Sequence, residues 1–288
     1  MTRERRHNID VIAGRDDDDE YYVADNAYND IWGFKGLDEI EYAIIGRANG
    51  IEIFDISTNP ESPELKKTID GPTGASVRDI KIYNYYAYVV YDGDDTPSSP
   101  ELKVNDQDPQ DQGMQIVDLR DPSNAYVVGR YTADFRRCHN IFISGGYLYA
   151  CLVSNNNDAR KPMHILELHR TPYLPRLVGI YNDMVVHDIY VRGNIAYAAV
   201  PEDYRFPGHN SSGVMILDVS DKSNIREIGK IIIPEDYTHN TCLSEDGNYL
   251  FVTNEIIGGG LRIYNVRNLS FPCFVKKHTA GSGLVIHN

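Results

Sequence analysis

Cysteine is scarce. Cys138, Cys151, Cys242 and Cys273 are the only four in 288 residues, and no C-x-x-C pair is present. This excludes a zinc knuckle and a dense disulfide framework and leaves room for one or two bridges at most. Long apolar runs are missing as well. Ile231-Ile232-Ile233 and Tyr86-Ala87-Tyr88-Val89-Val90 fall far short of the ~20 residues a membrane-spanning helix requires. The opening MTRERRHNID lacks the apolar segment of a signal peptide. Positive charge is also short: 28 Lys and Arg stand against 42 Asp and Glu, a formal charge of −14. That balance opposes nucleic acid and anionic membrane surfaces as partners and favours cations or basic groups. No G-x-S-x-G elbow, G-x-x-x-x-G-K-[ST] loop, H-E-x-x-H helix or G-x-G-x-x-G after a strand occurs. Serine-hydrolase, P-loop and dinucleotide chemistries are therefore unsupported, whereas a metal-dependent hydrolase needs none of these motifs.

What the chain does have is self-similarity. A small acid or amide followed by a β-branched residue opens five segments: Asp30-Ile31, Asp79-Ile80, Asn140-Ile141, Asp188-Ile189 and Asn240-Thr241, at spacings of 49, 61, 48 and 52 residues. Such periods suit a propeller blade and are too long for leucine-rich or ankyrin repeats. A strand phrase follows each opening: YAII at 42–45, YAYVV at 86–90, YLYAC at 147–151, IAYAA at 195–199 and YLFVT at 249–253. Next come GIEIFDIS, GMQIVDLR, PMHILELH, GVMILDVS and GLRIYNVR, from residues 50, 113, 162, 213 and 260. Each is a strand closed by a polar residue able to bond the next backbone groups into a turn. A fourth strand ends every unit, as in RLVGIY at 176–181 and REIGKI at 226–231. Five tandem antiparallel meanders, none able to bury both faces alone, predict an all-β propeller of about five four-stranded blades, with a β-sandwich as the alternative. Residues 28–288 are the expected propeller domain. Residues 1–27, with the run Asp16 to Glu20, are expected to be an acidic N-terminal tail. His287-Asn288 repeats the His-Asn opening of 139–140 and 239–240. Three arrangements fit that ending: a five-bladed closure, an incomplete sixth blade shared by the termini, or a longer natural chain.

The phrases IFDIS, IVDLR and ILDVS, with their Pro- or Asn-containing turns and the HN/HD openings, resemble the LVIVD-repeat propellers, in particular the choice-of-anchor B domain family. The resemblance runs over residues 28–288. Asn29-Asp30-Ile31-Trp32-Gly33-Phe34 followed by EYAIIGRANGIEIFDISTNP is similar to that family's first repeat. It implies a propeller displayed at the bacterial cell surface or otherwise extracellular, without defined activity, and it carries over no catalytic residue. The missing signal peptide is equally compatible with a cytoplasmic location.

In a four-stranded blade the first strand is innermost, and its opening residue lies on the face of the loops between second and third strands. Asn29, Arg78, His139, His187 and His239 are then expected in a ring at the channel mouth, backed by Asp30, Asp79, Asn140, Asp188 and Asn240. Glu255, just after a second strand, is expected on the same face near His239. Imidazoles with a carboxylate can ligate a divalent cation such as zinc or carry acid–base chemistry near neutral pH. A histidine repeated once per blade can equally pack against its neighbour, or line a small-molecule site with neither metal nor catalysis. The acidic insertion after Tyr91 offers Asp92, Asp94, Asp95, Asp106 and Asp108 as oxygen ligands for calcium, though their spacing does not match the EF-hand pattern. The leading expectation is a non-enzymatic propeller binding a protein, glycan or cation. The alternative is a metal-dependent hydrolase with His139, His187 and His239 as ligands and Glu255 as ligand or base.

Overall fold

The computed structural model describes residues 28–47, 50–72, 76–92, 113–154, 162–201, 212–234, 237–279 and 285–286, and the backbone of two short strands in the N-terminal segment. Those two, β1 (Arg5–Arg6) and β2 (Ile9–Asp10), pair antiparallel within the stretch expected as a tail. The remaining strands form five four-stranded antiparallel sheets, each in simple sequence order. Blade 1 is β3 (Tyr28–Lys35), β4 (Glu41–Arg47), β5 (Gly50–Asp55) and β6 (Glu64–Asp70). Blade 2 is β7 (Ser76–Tyr83), β8 (Tyr86–Asp92), β9 (Met114–Asp118) and β10 (Tyr126–Tyr131). Blade 3 is β11 (Asn140–Ser144), β12 (Tyr147–Cys151), β13 (Met163–Glu167) and β14 (Arg176–Tyr181). Blade 4 is β15 (Asp188–Arg192), β16 (Ile195–Val200), β17 (Ser212–Asp218) and β18 (Arg226–Ile233). Blade 5 is β19 (Thr238–Leu243), β20 (Tyr249–Asn254), β21 (Gly260–Asn265) and β22 (Cys273–His278). Among the described residues the only helical turn is a 3-10 turn at Pro122–Asn124, capped by Asp121. Among the described residues no helix is long and apolar enough to cross a membrane.

The chain divides into two compact units, Met1–Thr132 and Ala133–Asn288. The boundary falls between blades 2 and 3, inside the span that the repeat assigns to one domain. In the first unit one core joins both blades, with Ile44, Ile51 and Ile53 of blade 1 in one cluster with Ile80, Val89 and Val117 of blade 2. In the second unit blade 4 feeds two cores. Ala196, Ala198, Met215 and Leu217 pack toward blade 3, while their neighbours Tyr197, Val214 and Ile216 pack toward blade 5. Alternate side chains leave opposite faces of a strand, so a sheet with a neighbour on each face buries its middle strands completely. This is why the second and third strands read as nearly continuous apolar runs instead of alternating ones. Tyr42, Tyr88 and Tyr149 are among the largest fully buried side chains, so much of the tyrosine content is core.

Two local devices recur. The polar residue closing the third strand accepts from the backbone two positions on: Asp55 from Ser57 (3.1 Å), Asp118 from Arg120 (3.0 Å), Asp218 from Ser220 (2.9 Å) and Asn265 from Arg267 (3.1 Å). Blade 3 departs from this pattern. Its longer Glu167 reaches Arg176 (2.9 Å) and Arg170 (3.3 Å) instead. The second device is a one-residue slip between third and fourth strands in every blade, as between Ile165 and Leu166 or Ile216 and Leu217. The bulge bends the outer strand and is followed by Gly129, Gly179 or Gly229 in blades 2 to 4. A Cβ at Gly179 would lie 1.9 Å from the carbonyl oxygen of Lys222, and one at Gly229 would lie 1.9 Å from that of Leu269. Both oxygens belong to a turn of the following blade, so these glycines let the next sheet's backbone dock.

Candidate functional site

The first strands carry a bulge near their start, and it presents the candidate residues. In β19, Thr238 faces Asn254 and Asn240 faces Thr253, which leaves His239 as the extra residue. Arg78 is the extra residue between Val77 and Asp79 in β7. In blades 3 and 4 two residues likewise meet one. The His139 amide donates to Cys151 O (3.1 Å) while Asn140 faces Cys151, and the His187 amide donates to Ala199 O (2.8 Å) while Asp188 faces Ala199. In blade 1 the extra residue is Asp30, at φ +55°, not Asn29. The sequence register, fixed on the shared Asp-Ile phrase, is therefore one residue out in that blade. A bulge frees one side chain from the ladder and re-aims it, which is why such positions collect near functional surfaces.

In the second unit this brings the three predicted histidines together. The rings of His139 and His187 lie 4.7 Å apart between centroids, and those of His187 and His239 lie 4.3 Å apart. Tyr237 packs edge-on against His187 at 5.8 Å. His187 and His239 are buried, at 4% and 2% exposure, whereas His139 is half-buried. His187 Nδ1 lies 3.3 Å from the His239 carbonyl oxygen. Glu255 is anchored by its amide, which donates to Tyr237 O (2.9 Å). Its carboxylate lies 3.5 Å from His239 Nε2, and its side chain is 36% exposed. The arrangement is a row of imidazoles, one per blade, ending at a solvent-accessible carboxylate. Among the described residues no group of three or more His, Cys, Asp and Glu side chains is placed to hold a metal ion.

The residues behind the ring tie neighbouring blades together. Asn140 donates to His187 O (3.2 Å) and Asn240 to Asp188 Oδ2 (2.6 Å). In the first unit Asn29 donates to Val77 O (2.9 Å), and the Ile80 amide donates to Asp30 Oδ2 (2.6 Å) and to Asp79 Oδ1 (2.8 Å). The Lys81 ammonium contacts Asp79, lies 3.8 Å from Asp30 and sits 4.4 Å over the Trp32 ring. Burial raises the Asp79 carboxyl to about 8, and Asp30 adds to this while Lys81 opposes it.

Of the calcium candidates, Asp94, Asp95, Asp106 and Asp108 lie outside the described residues, and for Asp92, which ends β8, only the backbone is described. All four cysteines are free thiols, Cys138 and Cys151 buried and Cys242 and Cys273 exposed. Two residues escaped the sequence reading. His164 is buried on β13 with its ring 6.1 Å from Phe135; inside MHILE it reads as core. Arg136, three residues before His139, has a buried Nη1 without a hydrogen-bond partner; in the sequence it is merely a charge in a connecting segment.

No curated protein matches the sequence. Solved structures do match in fold. A functionally unknown protein from Desulfotomaculum acetoxidans is 15% identical with a TM-score of 0.58, over 91% of this chain and 73% of that one. A β-propeller domain from Myceliophteria thermophila is 11% identical with a TM-score of 0.58, over 90% and 73%. The periplasmic gluconolactonase PpgL of Pseudomonas aeruginosa is 13% identical with a TM-score of 0.55, over 89% and 72%. At such identities the likeness speaks for fold alone. The family model described as LVIVD repeat matches residues 41–71, 109–133 and 185–232, on which the strand-and-turn phrases of blades 1, 2 and 4 lie. The chain thus carries LVIVD repeats, and its five four-stranded antiparallel sheets have the fold of a β-propeller.

Proposed function

We propose that this propeller is a non-enzymatic binding module that engages a glycan or protein through the strand-opening end of blades 3 to 5. The observation that carries the reading is the row itself. Its imidazoles pack ring against ring and two of the three are buried. The groups of the row that reach solvent are half-buried His139, half-buried Tyr237 and the Glu255 carboxylate. Carboxylate and imidazole accept hydrogen bonds from hydroxyl groups, and an aromatic ring offers an apolar face. That set suits a glycan better than a flat protein epitope. The resemblance to surface-displayed propellers supports an extracellular site of action. A divalent cation at the acidic insertion would be a separate property of that loop.

The test is binding of the purified protein to a panel of immobilised glycans, with Glu255→Gln and His139→Ala alongside. The reading predicts that wild type binds at least one glycan and that each variant loses tenfold or more while melting at an unchanged temperature. Absence of glycan binding, or equal binding by the variants, would overturn it. A second reading, a metal-dependent hydrolase, draws on the 3.5 Å contact between His239 and Glu255, since a carboxylate beside an imidazole is a pair able to move a proton. It predicts turnover of a gluconolactone, abolished in Glu255→Gln.

A further inference from the structure

The first unit holds an arginine that has no counter-ion among the described residues. Arg78 is the bulged residue of β7 and is half-buried. Its Nε is buried with no hydrogen-bond partner, and among the described residues no carboxylate lies within ion-pair distance of it. The contrast within the same unit is Arg47, whose Nε is likewise buried but whose guanidinium lies 3.4 Å from Asp70 and 3.9 Å from Glu52. Arg120, similarly, is clamped on Asp118. The two acids nearest Arg78 in the repeat are already engaged, because Asp30 and Asp79 both accept from the Ile80 amide and both face Lys81. Among the described residues this first-strand guanidinium thus has no carboxylate to neutralise it. Such a group is costly to desolvate unless a partner completes it.

We infer that Arg78 is the anchor of an oxyanion-binding site, taking a ligand carboxylate or phosphate on its guanidinium. The fork of a guanidinium matches two oxygens of either group in bidentate fashion, which an ammonium cannot reproduce. The side chain carries this role because the bulge takes it out of the strand ladder while its neighbours absorb the local carboxylates. This site is independent of the histidine row of the second unit and stands or falls without it.

The experiment is a thermal-shift and calorimetric titration of wild type, Arg78→Gln and Arg78→Lys with sodium phosphate and with sodium acetate, at constant ionic strength set by chloride. Wild type is expected to saturate with one of the two anions and to gain melting temperature as it does so. Arg78→Gln should lose affinity at least tenfold, and Arg78→Lys should fall between. Saturation by phosphate alone identifies a phosphoryl ligand, and saturation by acetate alone a carboxylate. Without anion, Arg78→Gln should melt no lower than wild type, since it removes a charge whose Nε is buried without a hydrogen-bond partner. No saturable binding by wild type, equal binding by Arg78→Gln, or a lower melting temperature of that variant in anion-free buffer would overturn the assignment.

Discussion

Asp118 and Asp218 each close a third strand by accepting the amide two residues on, and each also binds an arginine, Arg120 and Arg226 respectively. The Arg120 guanidinium holds the Asp118 carboxyl below its ordinary range. Bonds from Ser220, with Arg226 beside it, hold Asp218 at about 2. An unfolded aspartate titrates at ~3.9, so the stabilisation from a depressed carboxyl is complete above that value and fades as pH falls toward 2. Asp218→Asn should therefore show a shallower loss of stability between pH 4 and pH 2 than wild type, read as the denaturant midpoint against pH. At neutral pH, Asp118→Ala should cost about 1 kcal/mol through its lost turn bonds. Unchanged stability of Asp118→Ala would contradict the turn assignment. These aspartates were legible in the sequence because an Asx turn needs only a short side chain at a fixed offset. Glu167 shows the limit of that reading, since one added methylene sends the same position to Arg176 and Arg170.

Each sheet is specified at its edges by single-residue irregularities more than by its apolar runs. Gly179 and Gly229 sit where the next blade's turn touches the outer strand, leaving no room for a methyl group. Gly179→Ala and Gly229→Ala should each lose about 1–3 kcal/mol, measured by urea denaturation, and wild-type stability would contradict the close docking. Blades 1 and 5 carry Lys67 and Lys276 at the equivalent place, so no glycine signal runs through all five repeats. Strand identity and order were readable from phrases of about five residues. The first-strand bulge was not, because an extra residue leaves composition and periodicity almost unchanged. That is why Asn29 takes the ring position in the sequence register and Asp30 takes it in the ladder. The same bulge at His239 and Arg78 determines which side chains leave the ladder, and it emerges only from the pairing.

Within each unit, apolar side chains form cores between successive sheets, and polar first-strand residues stitch neighbours together. The repeat made this architecture legible, since no single meander could bury both faces of its middle strands. The spatial role of the histidines was less legible, because His139, His187 and His239 recur once per blade whether they pack or coordinate. Their rings, packed edge-on and tilted against one another with Glu255 accessible at the end of the row, favour packing behind a binding surface. The most direct test is elemental analysis of protein purified without chelator or metal-affinity resin, coupled to thermal melts with and without EDTA. A packed row predicts no stoichiometric zinc, iron or manganese and identical melts. Calcium retained in a His139→Ala, His239→Ala double variant would be assigned to the acidic insertion. Stoichiometric zinc, iron or manganese that is lost in that double variant, with a melting temperature lowered by EDTA, would contradict the packed row and make the histidines a metal centre.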